Sequence, residues 1–454
     1  MAESVLAEIV ARKRIDVADR FGSTTADAMR ADVAPTSRSL RAALSRPGAR
    51  FIMEVKRASP SGHRSNIEPA KAARAYAGVA DAISVLTDAP YFHGSLDDLR
   101  TVRALFDGPI LAKDFVVDPR QLIEARAAGA DAALAMLSVL SDEQAAAVTA
   151  EAGRLGMEVI TEVHDEAELV RAKALGANII GINNRDLKSL TTDLAVTERL
   201  AALAPDAILI SESGIATRAD VERLAPLVDA FLVGSSLMAV PDVHEAARAL
   251  VFGRVKICGL AREEDVALAA VSGATHAGFI FVPDTPRALT EQQARPLVTQ
   301  ARAAGLTTVG VFRDADPEDV VEVAQSLTLG AVQLHGGANY STIARIRRDF
   351  AGEIWAVSRG ASEAVCETAD RTLFDSGHGG SGKPFDWSLL KGRRDLPTGF
   401  LAGGITPANA TAAARVGAYG LDLSSGVEAQ PRHKDPAKMT ALFAALRPST
   451  RESR

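Results

Sequence analysis

The chain has 454 residues, 47% hydrophobic and 24% charged, an ordinary globular composition that is too long for one comfortable core. Fifty-one Lys and Arg against 57 Asp and Glu leave a formal net charge of −6, with no footprint for nucleic acid or anionic lipid. The two cysteines, Cys258 and Cys366, share no metal-ligand spacing, which excludes a disulfide framework and a Cys-rich zinc site.

The first 20 residues carry Glu3 and Glu8 among apolar neighbours and lack a signal-peptide core. They read as an amphipathic helix with Val5, Ile9 and Val10 on one side. No apolar run reaches the about 18–20 residues that span a bilayer, so the chain reads as reduced and cytoplasmic. From Phe51, short runs rich in Val, Ile and Leu recur: FIMEV, AISVLT (from Ala82), PILAKDF (Pro109), AALAML (Ala132), EVITEV (Glu158), IIGINN (Ile179), AILISESG (Ala207) and AFLVGSS (Ala230). Helical stretches separate them, several ending in Gly-Ala, a usual stop for a helix turning back into a strand. Eight further runs follow: VKICGL (Val255), HAGFIFV (His276), TTVGVF (Thr307), AVQLHG (Ala331), EIWAVS (Glu353), RTLFDS (Arg371), GFLAGGI (Gly399) and GLDLSSG (Gly420).

Continuous apolar strands alternating with helices indicate a parallel sheet covered on both faces. Eight strand-helix units in about 200–250 residues is the count of a (β/α)8 barrel. The expectation is an α/β chain of two tandem (β/α)8 barrels. The first occupies 1–253, with 1–50 as a helical extension, and the second 254–454. Only Gly253 and Arg254 separate the last helix of one from the first strand of the other.

In such barrels chemistry gathers where strands end. The first half places Glu54 and Lys56 on strand one, then Ser59-Pro60-Ser61. Lys113 ends strand three, Glu162 strand five, Asn183 and Arg185 strand six, and Glu212-Ser213 strand seven. Two lysines and three carboxylates converging on one mouth shift each other's pKa values, as acid-base chemistry requires. Ser213-Gly214 and Gly234-Ser235, after strands seven and eight, suit a phosphate because small residues let backbone N–H groups approach it. In the second half Cys258 ends strand one, His335 strand four and Asp375 strand six, with Gly403-Gly404 and Ser424-Ser425 as a second phosphate cradle. Cys258 is either a small core residue or, beside Lys256, a thiolate base. Gly377 to Gly382 matches G-x-G-x-x-G, but Pro384 and an aromatic FDW follow, so a Gly-rich lid fits better than a dinucleotide site. His244-Glu245 lacks a second His, and no catalytic metal is expected.

FIMEVKRASPS with ILAKDF, EVITEV, GINNRDL, ISESGI and FLVGSSLM resembles indole-3-glycerol-phosphate synthase. VKICGL, VGVF, AVQLHG, FDSGHGGSGKPFDW, LAGGITPAN and GLDLSSGVEA resemble phosphoribosylanthranilate isomerase. The fused order is similar to the bifunctional tryptophan-biosynthesis enzyme of many bacteria. In the first half the resemblance implies that Lys113 is the general acid expelling the carbonyl-derived oxygen and Glu162 its acid-base partner. Glu54 and Lys56 assist, Lys56 at the substrate carboxylate. Ser59, Ser213, Gly214, Gly234 and Ser235 fall at phosphate or substrate positions, and Phe115, Asn183, Arg185, Leu187 and Glu212 complete the pocket. The N-terminal helix is expected to help cover it. In the second half it implies Cys258 as the base removing the C2′ proton and Asp375 as the acid opening the ribose ring. Arg287 would contact the anthranilate, and Gly403, Gly404, Ser424 and Ser425 the phosphate, with His335 a further pocket residue. The loop Gly62-His63-Arg64-Ser65-Asn66 is shorter than in many synthases.

The implied partners are small phosphosugar-anthranilate substrates, with no cofactor, no nucleic acid and no membrane; a monomer is compatible, and other pathway enzymes are left open as partners. Two other readings stay open at this level. One is a Schiff-base aldolase using Lys113 on a phosphosugar; the other is a phosphometabolite-binding protein with one inactive half.

Overall fold

A parallel strand buried on both faces needs an uninterrupted apolar run, because neither face can hold unpaired polar side chains. All sixteen expected runs form such strands in the computed structural model, which describes residues 5–60, 62, 64–186, 189–336, 338–359, 367–375 and 386–451. The first set is β1 (Arg50–Val55), β2 (Ala82–Leu86), β3 (Ile110–Lys113), β4 (Ala132–Met136), β5 (Glu158–Val163), β6 (Ile179–Asn183), β7 (Ile208–Glu212) and β8 (Ala230–Val233). They pair in chain order and close where Phe51 of β1 lies opposite Phe231 of β8. The second set is β9 (Arg254–Cys258), β10 (His276–Ile280), β11 (Thr307–Arg313), β12 (Ala331–His335), β13 (Glu353–Arg359), β14 (Arg371–Asp375), β15 (Phe400–Leu401) and β16 (Gly420–Leu423). It closes where Val255 of β9 meets Leu421 of β16. A short antiparallel pair, β17 (Glu428–Gln430) and β18 (His433–Lys434), follows the second barrel's last strand; the sequence reading did not include it.

The chain divides into two compact units, residues 5–247 with 448–451, and 248–447. The sequence places the junction at 253/254; here the division falls a few residues earlier, and the C-terminal segment belongs with the first unit. Within that unit the Ala49 amide donates to the Pro448 carbonyl at 2.8 Å, and Arg451 is paired with Asp229 at 2.6 Å.

The first barrel is filled by Ile52, Leu111, Leu134, Ile160 and Ile210, all buried. The second is filled by Val309, Leu373, Trp355 and Phe400, the last two stacked with centroids 4.5 Å apart. Gly129, at φ 110°, ends the helix Arg120–Ala128 as the Gly-Ala signal predicts, and a Cβ there would lie 2.7 Å from Arg103 Cγ.

The N-terminal helix forms over Val5–Phe21, but its buried stripe is Ile9, Lys13, Val17 and Phe21. Val5 is exposed and Val10 only half-buried, so the expected stripe of Val5, Ile9 and Val10 is corrected to an i, i+4 row through a lysine. Lys13 can be buried because it pairs with Asp88 at 2.8 Å and Asp114 at 2.6 Å. Burial lowers its pKa, but the two carboxylates outweigh that and hold it above the ordinary lysine value.

Candidate active sites

In a (β/α)8 barrel the inward side chains of alternate strands share one layer. At the top of the first barrel β1, β3, β5 and β7 supply Glu54, Lys113, Glu162 and Glu212, and together these wall a cavity of about 610 Å³. Lys113 Nζ donates to Glu162 Oε2 at 3.0 Å and to Glu212 Oε2 at 2.6 Å. Lys56, just past β1, pairs with Glu54 at 2.8 Å. Asn183 Nδ2 donates to the other Glu162 oxygen at 3.0 Å, while its own side-chain oxygen accepts the Arg185 amide at 3.0 Å.

The four charges titrate very differently because burial acts on all of them while their neighbours differ. Burial raises Glu54 and Glu162, yet both stay below the ordinary carboxylate value: Lys56 and Lys113 face the first, Lys113 and His164 the second. Glu212 is pushed up to about 7 by burial and by the charge on Glu162, with Lys113 opposing. Lys113 is desolvated, but Glu162, Glu212 and Glu54 hold it well above the ordinary lysine value. The mouth therefore holds one firm cation in Lys113, two firm anions in Glu54 and Glu162, and in Glu212 a carboxyl able to exchange its proton near neutrality.

Phe115, Asn183, Arg185, Ser213, Gly214, Gly234 and Ser235 also line this cavity, as does the apolar edge of the N-terminal helix through Leu6 and Ile9. Ser213 (φ 64°) and Gly214 (φ 80°) bend the chain sharply after β7, and Gly234 opens the single turn Ser235–Met238, whose first amides lack intrahelical acceptors. Ser59 is buried behind Pro60 and does not itself reach the cavity wall. Leu187 lies outside the described residues, as do Cys366 and the Gly-rich segment Gly377 to Gly382.

Two glycines that sequence reading missed, one in each barrel, leave room for the charged groups of the two mouths. A Cβ on Gly181 of β6 would stand 2.1 Å from Glu212 Oε1. In the second barrel, a Cβ on Gly278 of β10 would stand 2.9 Å from both Cys258 Sγ and Lys256 Cε on β9.

The second barrel's mouth is a cavity of about 290 Å³ walled by Cys258, Arg287, His335, Asp375, Gly403, Gly404, Ser424 and Ser425. Lys256 and Cys258 are two apart on β9 and point the same way. Lys256, fully buried, donates to Gln333 at 2.8 Å and to Asp422 at 2.9 Å. Burial pushes the Cys258 thiol up, and Lys256 and Lys434 oppose that without cancelling it. Arg287 is aimed by Glu428, which accepts its Nε at 2.9 Å and its Nη2 at 2.5 Å. Lys434, from β18, ties Glu428 at 3.0 Å to the Cys258 carbonyl at 2.7 Å and the Ser424 carbonyl at 3.2 Å. Neither Glu428 nor Lys434 stood out in the sequence, because the hairpin that presents them is too short to show a period.

Two closed parallel barrels, each with ionisable groups collected at the C-terminal ends of its strands, define a tandem (β/α)8-barrel enzyme. Residues 6–250 match the family model for indole-3-glycerol phosphate synthase, and residues 255–445 that for N-(5′-phosphoribosyl)anthranilate isomerase. A tryptophan biosynthesis protein TrpCF from Salmonella typhi is 43% identical over 98% of this chain and 99% of its own length. Another from Vibrio parahaemolyticus is 44% identical over 98% of this chain and 95% of its own. The chain belongs to both families and is a bifunctional enzyme of tryptophan biosynthesis, a decarboxylating lyase in its first barrel and an isomerase in its second.

Proposed function

We propose that the second barrel isomerises N-(5-phosphoribosyl)anthranilate and the first converts the product to indole-3-glycerol phosphate. In the isomerase, Asp375 protonates the ribose ring oxygen as the C1′–O bond opens, leaving a C1′=N bond. Cys258 then takes the C2′ proton, and the resulting enolamine becomes the 2′-ketone of 1-(2-carboxyphenylamino)-1-deoxyribulose 5-phosphate. The thiol starts protonated, and Lys256 and Lys434 lower the cost of forming its thiolate beside the bound sugar. Arg287, pre-aimed by Glu428, takes the anthranilate carboxylate, and Gly403, Gly404, Ser424 and Ser425 take the phosphate, with His335 on the same wall.

In the synthase the aromatic carbon bearing the carboxylate attacks the 2′-carbonyl carbon while a proton is delivered to its oxygen. Carbon dioxide leaves and the ring regains its aromaticity; that oxygen, given a second proton, then leaves as water while C1′ loses a proton to a carboxylate and the C1′–C2′ double bond of the indole forms. Lys113 delivers the proton, Glu162 acts as the base, and Glu212, which exchanges its proton near neutrality, returns one to Lys113; Lys56, steadied by Glu54, receives the carboxylate; Phe115, Leu134 and Met136 hold the ring. Asn183 and Arg185 frame the sugar hydroxyls, and Ser213, Gly214, Gly234 and Ser235 receive the phosphate. The observation that carries this reading is Lys113 held between two carboxylates on alternate strands. It also disfavours the aldolase, since imine formation needs a free amine and this one is held as ammonium.

The test is a coupled assay from phosphoribosylanthranilate that follows both products. Lys113→Ala should lose the lyase step by at least about 100-fold and keep the isomerase step, and Cys258→Ala the reverse. Loss of both steps in either folded variant would refute separate sites. Among the described residues no helix is long and apolar enough to cross a membrane. The biosynthetic family supports a cytoplasmic site of action, with small phosphosugar-anthranilate substrates as partners and other pathway enzymes left open.

A further inference from the structure

Side chains two apart on a strand point the same way. Glu162 and His164, at the end of β5, are such a pair, and His164 Nε2 lies 3.3 Å from Glu162 Oε1. The imidazole is not free to turn. Glu168, in the first turn of the helix Glu166–Ala174, accepts the His164 backbone amide at 2.8 Å, and the same oxygen faces ring Nδ1 at 3.0 Å. His164 and Glu168 are largely shielded from solvent, with side chains 13% and 15% exposed, and Glu162 is almost wholly so.

We propose that His164, clamped by Glu168, is a positioning residue that keeps Glu162 ionised and aimed at Lys113. This rests on the acid-base role given above to Glu162. An imidazole between two carboxylates favours its charged form, and although burial works against it, Glu162 and Glu168 raise His164 to about 10. The other groups facing Glu162 come from every neighbouring element. Lys113 on β3 bonds one carboxylate oxygen and Asn183 on β6 the other; Glu212 on β7 opposes ionisation from across the layer. Lys113 cannot neutralise Glu162 alone, because it is shared with Glu212 at 2.6 Å. His164 is the cation on the side of Glu162 away from that competition.

The experiment uses His164→Gln and His164→Asn in the full chain, with lyase kcat and KM measured from pH 3 to 8.5 and the isomerase step as internal control. Removing the cation raises the Glu162 pKa, so more Glu162 is protonated at low pH. The acid limb of lyase kcat should move up by about one pH unit, with KM within about two-fold and the isomerase profile unmoved. Glu168→Gln, which leaves the ring in place but unclamped, should move the limb in the same direction by less. An unmoved acid limb, or a loss equal at every pH with a raised KM, would overturn the proposal. If the His164 variants fail to fold, Glu168→Gln decides. Glu162→Gln separates the two levels: if it retains lyase activity the role of Glu162 falls, whereas an inactive Glu162→Gln beside an unmoved His164→Gln profile sinks only the role of His164.

Discussion

Glu212 shows how one side chain couples chemistry to stability. Its folded value of about 7 lies above that of an unfolded glutamate, because burial and the Glu162 charge favour the neutral form. A raised carboxyl contributes stability that is complete below the unfolded value and is lost as pH rises through the folded one. The first unit should therefore lose about 1–3 kcal/mol between pH 5 and 8 through this residue. Glu212→Gln, unable to ionise, should flatten that fall while lowering lyase turnover. Urea unfolding of wild type and variant at both pH values checks it; parallel curves would show that Glu212 is not the source. The same layer explains which residues were legible. Lys113, Glu162 and Glu212 announce themselves, because charge at the end of an apolar run has no structural reason to be there. Gly181 does not: its use is the space it leaves for a carboxylate from the next strand, and that is visible only once β6 and β7 are paired.

Secondary elements were legible wherever one rule of burial governed them. The barrel strands are mainly apolar because helices cover their outer faces, so period and turn signals place each of them, although the run at Gly399 shrinks to the two residues of β15. The N-terminal helix obeys no such single rule. Its buried row passes through Lys13, and the two aspartates that make this possible lie far along the chain, after β2 and β3. Asp114 directly follows Lys113, and Asp88 caps the short helix bearing Phe92, so the pair links the helix to two parts of the cavity wall. Lys13→Met would leave two buried carboxylates without their cation, a cost of about 3–5 kcal/mol. We expect the melting transition of the first unit to fall by roughly 10 °C and the lyase KM to rise, with isomerase constants unchanged. Calorimetry with both assays tests this, and an unchanged lyase KM would mean that the helix does not shape the site.

At the scale of the whole chain, the segment after the last helix serves the first unit although it is joined to the second. Pro448 and Arg451 hold Ala49 and Asp229, which flank β1 and β8 at the seam where the first barrel closes. Truncation after Arg447 should therefore shorten the half-life of lyase activity on heating and leave that of the isomerase unchanged. Both tryptophans, Trp355 and Trp387, belong to the second unit, so indole fluorescence follows that unit alone and makes the comparison direct. A shift of the fluorescence transition on truncation would contradict the assignment of these residues.

The layer of Glu54, Lys113, Glu162 and Glu212 has a consequence for how the first barrel holds its two halves together. β1 to β4 bring Lys113, whereas β5 to β8 bring its two carboxylate partners, Glu162 and Glu212. A cut between β4 and β5 would leave the ammonium on one fragment and both of its partners on the other. Each would be the other's counter-ion, and the contacts that rejoin the fragments would be the same contacts that restore the catalytic ammonium.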